Sequence, residues 1–131
     1  MKIPLLPLNA IICPQGRIPL QIFEPRYLDM ISESLKSGLG FVVVLLRGDG
    51  ANEAVPGSVN NFYTLGTLVE VVDFNESPRE GVICVTVEGR VQVRLTDIEL
   101  QDSGLWLATI KPILNEDYLV LPEKYDELKG R

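Results

Sequence analysis

Residues 3–29 read IPLLPLNAIICPQGRIPLQIFEPRYLD, and the fold of the chain is decided in this stretch. Ile3 to Leu8 is apolar with Pro4 and Pro7 inside it. Proline cannot donate to a β-ladder, so the segment suits the edge of a sheet. Pro14-x-Gly16 then predicts a turn. Beyond it Ile18, Leu20 and Ile22 alternate with Pro19 and Gln21, the period of a strand. At Pro25 the period changes. Tyr27, Leu28, Ile31 and Leu35 follow at helical spacing, with Asp29, Ser32, Glu33 and Lys36 on the other face. Proline is favoured at the first helical position and glycine just past the last, so Pro25 and Gly38 bound a helix over 25–37.

Outward from this stretch the chain reads as short strands. Phe41 to Leu46 is an unbroken apolar run between glycines, which predicts a strand covered on both faces. Residues 48–61, GDGANEAVPGSVNN, predict a long mobile loop. Tyr63 to Phe74 is a strand candidate in which Gly66 marks a bulge or a close backbone approach. Asn75 to Glu80 predicts a turn. Val82 to Val87 and Val91 to Leu95 predict two strands joined through Glu88-Gly89-Arg90. Gln101 to Gly104 predicts a turn, and Leu105 to Ile110 a strand ended by Pro112. Six or seven strands with one helix after the second argue a mostly β (α+β) domain, curled so that few edges stay open. The expected division is a β domain over 1–121 and a tail over 122–131, the start of a helix or a linker.

Composition narrows the function. The chain has 131 residues, enough for one domain with its own core. Its hydrophobic fraction of 46% and charged fraction of 23% are those of an ordinary globular protein. Eighteen acidic against 12 basic residues give a net charge of −6, which opposes binding to a phosphate backbone, so no nucleic-acid partner is expected. A basic patch of Arg17, Arg79, Arg90 and Arg94 would reverse that expectation. The longest unbroken apolar run has six residues, against about 20 for a membrane-spanning helix. With no secretory signal, a cytoplasmic location is expected, and Cys13 and Cys84 are expected to be buried free thiols.

Residues for catalysis are absent. The chain has no histidine, the usual general acid–base at neutral pH. Ser32, Ser34, Ser37, Ser58, Ser77 and Ser103 fall on the helix or in turns, none at a strand-to-helix elbow. Two cysteines cannot complete a tetrahedral metal site, and no phosphate loop with a following Lys-Ser or Lys-Thr is present. No enzyme activity, metal or cofactor is expected.

Two features remain. Arg26 falls in the first helical turn, where the dipole is unfavourable to a cation, while Glu24 beside it gains about 0.3–1 kcal/mol. Arg26 therefore needs an acidic partner, expected at Glu70 or Glu88 on the strands, or else a ligand. Two apolar pairs, Ile11-Ile12 beside the Pro-Gly turn and Phe62-Tyr63 after the long loop, are candidates for holding an extended polypeptide. Core packing is the competing reading for both.

The stretch resembles the amino-terminal domain of the Lon protease family. The matches are Pro4-Leu5 through Pro7-Leu8, Pro14, Gly16, Pro19-Leu20 and above all Phe23-Glu24-Pro25-Arg26-Tyr27. Leu65-Gly66-Thr67, Val72-Asp73, Glu88-Gly89-Arg90 and Gly104-Leu105 follow in the family's order, so the resemblance covers about residues 3–122. The family often has Phe-Pro-Gly where this chain has Cys13-Pro14-Gln15, and an aromatic where it has Val91. Full-length Lon continues into a helical bundle, an ATPase and a Ser-Lys peptidase, none of which this sequence contains, so it is expected to be a stand-alone or truncated member. The resemblance implies a PUA-like pseudo-barrel of about six strands. It also implies a role in recognising unfolded or tagged polypeptides, with a protease or ATPase acting in trans. It implies a mainly structural role for Phe23, Glu24, Pro25, Arg26 and Tyr27. The alternatives are an RNA-binding module and a small-molecule sensor with a pocket lined by Trp106.

Overall fold

A computed structural model describes residues 2–10, 12–46, 62–76 and 80–113. The elements are β1 (Ile3–Leu8), β2 (Arg17–Ile22), α1 (Pro25–Ser37), β3 (Phe41–Leu46), β4 (Phe62–Glu76), β5 (Ile83–Leu100) and β6 (Trp106–Pro112). The expected loop over 48–61 and the expected tail over 122–131 lie outside the described residues.

All six strands belong to one sheet, in the order β2-β5-β4-β3-β1-β6, with a further pairing of β5 to β6. β1 and β3 are parallel; every other pair is antiparallel. The pairings β5-β4-β3-β1-β6-β5 therefore close a ring of five strands, while β2 lies outside it. The result is a curled sheet and not a clean barrel. Its hinge is β5, whose first half (83–88) pairs with β2 and whose second half (93–100) pairs with β6.

The expected break at Glu88-Gly89-Arg90 is not there. These residues lie inside the 18-residue β5. The ladder with β4 shifts register between Leu68 and Val69, opposite this point, so the strand bends without ending. The glycine answers a close approach. The turn at 13–16 docks here, with the Gln15 N–H donating to the Gly89 carbonyl at 2.7 Å and the Gly89 N–H to the Gly16 carbonyl at 2.8 Å. A Cβ at Gly89 would run into the Cys13 carbonyl.

Alternation along the strands sorts the apolar residues into two cores. Inside the ring, Leu5, Val42, Val44, Phe62, Leu68, Val93, Trp106 and Ile110 pack together. On the other face, Phe41, Val43, Val69, Val85 and Val87 meet Tyr27, Met30 and Ile31 of α1. β3 feeds both cores, which is why its sequence is apolar without interruption. α1 runs over the expected residues, and Gly38 closes it at φ 75° with its N–H on the Ser34 carbonyl. Its buried face is centred on Met30 as well as Tyr27 and Ile31, and Leu35 is exposed. The cysteines differ from expectation: Cys13 is exposed in its turn and Cys84 half-buried.

Candidate functional site: an apolar groove on the outer wall

The residues whose side chains point away from the ring interior build a groove. On β4, Phe62 and Leu68 face inward, so Tyr63, Leu65 and Thr67 face outward. The same alternation turns Val43 and Leu45 of β3 outward, and Gln92 and Arg94 of β5. Ile12, together with Ala10, forms one wall. It is held down by Thr67, whose hydroxyl donates to the Ile12 carbonyl at 2.6 Å. Ile113 forms another wall, its N–H donating to the Gln92 carbonyl at 2.9 Å. Gly66 lies in the floor, where a Cβ would come within 2.7 Å of the Val43 carbonyl. The concavity measures about 410 Å³. Tyr63 and Leu65, 50% and 47% exposed, stand over it, and buried Ile12 lies at its base.

Two of the four residues expected to hold a polypeptide, Ile12 and Tyr63, thus come together from positions 51 apart in sequence. Ile11 lies outside the described residues. Phe62 is 1% exposed and faces the other way, meeting Trp106 edge to face with ring centroids 5.4 Å apart. Trp106 is a core residue and lines neither this groove nor the second cavity. Leu65 was missed. Its signal was its spacing of two residues from Tyr63, which places both on one face of a strand.

The Phe23-to-Tyr27 element sits elsewhere. Phe23 and Pro25 are exposed, and Tyr27 is buried against the sheet. Arg26 does not reach Glu70 or Glu88. It bonds Glu24 through Nη2 at 2.9 Å, the Gly104 carbonyl through Nη1 at 2.9 Å, and lies 4.7 Å from the centre of the Tyr27 ring. Glu24 is the N-cap residue of α1, at the helix's positive end as expected, but its carboxylate is held by Arg26 and makes no capping hydrogen bond. Glu70 and Glu88 are directly opposed on β4 and β5, and Arg90 bridges them. Arg17 Nε adds a second contact to Glu88 at 2.7 Å. This bond from Arg17, with the charges of Arg90 and Arg17, holds the Glu88 carboxyl below the usual carboxylate range against the opposing effect of desolvation.

Of the four arginines of the expected patch, Arg17 and Arg90 are paired with acids, Arg94 is exposed at the groove, and Arg79 lies outside the described residues. Among the described residues no carboxylate, cysteine or serine lines the groove, and no cluster of three His, Cys, Asp or Glu could hold a metal. The groove can bind apolar side chains, and the hydroxyls of Tyr63, Thr64 and Thr67 lie among its lining residues. A second cavity of about 490 Å³ lies between α1 and β1/β6. Asp29, Glu33 and Lys2 rim it, and it contains none of the expected site residues. No described helix is long and apolar enough to cross a membrane.

The sequence profile of the ATP-dependent protease La (LON) substrate-binding domain matches residues 2–130. The chain belongs to the LON substrate-binding domain family. Solved LON domains share its fold. The Lon N-terminal domain protein of Xanthomonas campestris superimposes with a TM-score of 0.67 at 26% identity, over 97% of this chain and 68% of that one. The N-terminal domain of Mycobacterium avium complex Lon protease superimposes with a TM-score of 0.63 at 12% identity, over 97% and 61%. Among curated proteins the LON domain is similar to protein cereblon of Danio rerio, 27% identical over 126 residues, and of Gallus gallus, 25% identical over 125. It covers 94% and 93% of this chain but spans only about a quarter, 26% and 24%, of those relatives. The matched family is a substrate-binding domain and not a catalytic one.

Proposed function

We infer that the protein is a non-catalytic polypeptide-recognition module and that an extended, unstructured segment docks in the groove under Tyr63 and Leu65. The observation that carries this reading is the pairing of exposed Tyr63 and Leu65 with Ile12 in one apolar concavity. Exposed apolar side chains on a rigid sheet are what a loosely selective binder of unfolded chains needs, because the scaffold loses little entropy on binding. The groove is within the size range of small-ligand sites, but its open mouth suits a chain that enters and leaves. The partners are unfolded or tagged polypeptides in the cytoplasm, with a protease or ATPase acting on them in trans. The acidic net charge and the paired Arg17 and Arg90 argue against RNA.

The test is a peptide array probed with the purified protein, beside an RNA homopolymer, and repeated with Leu65→Ala. Losing one apolar anchor costs about 1–1.5 kcal/mol, so about a tenfold loss of affinity is expected. Silence on all peptides, or binding unchanged by Leu65→Ala and by Tyr63→Ala, would sink the reading.

A further inference from the structure

The outward side of the sheet is ordered in rows, and the row in the middle of the groove carries charge. Leu65 on β4 is directly opposed by Arg94 on β5, and Arg94 by Lys111 on β6. Both cationic side chains are exposed, and Arg94 lines the groove. Like charges placed directly across a ladder repel and cost stability. Where two acids, Glu70 and Glu88, meet in the same way, Arg90 bridges them. Among the described residues no acid bridges Arg94 and Lys111, although the chain carries a net charge of −6. Apolar residues flank this pair on both sides. Two residues back along β4, Tyr63 falls in the row of Thr96 and Thr109. Two residues on, Thr67 opposes Gln92, whose carbonyl takes the Ile113 N–H, and the Thr67 hydroxyl holds Ile12. Along the direction of its strands the groove therefore runs apolar, cationic, apolar.

Successive rows on one face of a strand lie two residues, about 6.7 Å, apart. An extended polypeptide lying along β4 and β5 has the same period, so its side chains at i, i+2 and i+4 meet three successive rows. Resting on the polypeptide-recognition reading above, we propose that the groove selects segments in which an acidic residue at i+2 stands between apolar residues at i and i+4. The acid sits between Arg94 and Lys111. One apolar side chain lies against Tyr63 and the other against Ile12 and Ile113. The guanidinium of Arg94 suits the two carboxylate oxygens through paired N–H donors, and Lys111 adds a point charge. A carboxylate there also relieves the repulsion between the two cations, which a neutral side chain does not. A segment of apolar residues alone would cover the pair without compensating it, and that costs binding energy.

The experiment is fluorescence anisotropy with a labelled peptide whose core is Leu-Ser-Glu-Ser-Leu. It is compared with the same peptide carrying glutamine for the glutamate, and with one whose glutamate is moved one place, Leu-Glu-Ser-Ser-Leu. The central glutamate is expected to bind about three- to tenfold tighter than either, with the gap narrowing as salt is raised. The quantity read on each variant is the ratio of the glutamate to the glutamine affinity. It should fall part of the way in Lys111→Gln and close to one when Arg94→Gln is added. It should stay at the wild-type value in Lys36→Gln, the same loss of one charge in the last turn of α1, away from the groove. All three side chains are exposed, and a far-ultraviolet spectrum checks that each variant folds. Equal affinity for the glutamate and glutamine peptides would overturn the proposal while leaving the recognition reading intact. A moved glutamate that binds as tightly as the central one would overturn the spacing, and a ratio lowered equally by Lys36→Gln would overturn the site. Tighter binding to an RNA homopolymer than to the glutamate peptide would overturn it in favour of phosphate as the anion. Binding by none of the three peptides would overturn the proposal, and silence of the peptide array would take the recognition reading with it.

Discussion

Arg26 donates through Nη1 to the carbonyl of Gly104 at 2.9 Å, tying the first turn of α1 to the turn that launches β6, 78 residues away in sequence. Its other nitrogen holds Glu24, and its side chain is only 9% exposed. The arginine fixes how the helix sits on the sheet.

Replacing Arg26 by alanine strands a carboxylate and a carbonyl in a half-buried place. A loss of about 2 kcal/mol is expected, seen as a fall of roughly 6–10 °C in Tm. Arg26→Lys should recover only part, because one ammonium cannot fork to both acceptors. A Tm unchanged in Arg26→Ala would show that the tie carries no load.

The turn at 13–16 is a type II turn, with Pro14 in its second position, Gln15 in its third at φ 69°, and the Gly16 N–H on the Cys13 carbonyl at 2.9 Å. That third position favours glycine, which the chain lacks. Gln15→Gly should therefore stabilise the fold by about 0.5–1 kcal/mol, the relief of left-handed strain less the entropy of a freer unfolded chain. A urea midpoint that fell instead would mean that the Gln15 side chain contributes more than its backbone costs.

Gly89→Ala tests the docking of the same turn on β5. The added methyl meets the backbone carbonyl of Cys13, which cannot rotate aside, so the turn must lift off. More than about 2 kcal/mol of stability should go, measured by urea unfolding. A near-neutral result would show that the turn is free to move.

Stability should also depend on acid through Glu88. Its folded-state pKa is depressed, chiefly by the bond from Arg17. The contribution is therefore complete above the unfolded-state value, about 4.3, and is lost as pH falls through the lower folded-state value. Urea midpoints measured from pH 7 down to pH 3 should decline at the acid end, and decline less in Glu88→Gln. Identical profiles for the two proteins would remove Glu88 from the acid response.

Much of the architecture was legible because local chemistry and tertiary packing agree. Pro25 and Gly38 bound the helix, and the valine run at 41–46 announces a strand buried on both faces. Two errors share a cause. Glu88-Gly89-Arg90 reads locally as a junction, but the glycine is there for the close approach of the Cys13 carbonyl, 76 residues earlier, and the two charges serve a row across three strands. Arg26 was given distant acids when its acid partner stood two residues before it and its second acceptor was a main-chain oxygen, which leaves no mark in a sequence. At the groove, Ile12 and Tyr63 were visible as apolar residues beside turns. Phe62 and Tyr63 read as one apolar pair in the sequence, whereas a strand separates neighbours onto opposite faces.

β5 belongs to both units of the sheet: one end is bound by β2 and the other by β6, with β4 alongside. An opening at one end of β5 pulls on the strand that the other end shares, which couples the two ends. The slowest-exchanging amides should be those at the middle of β5.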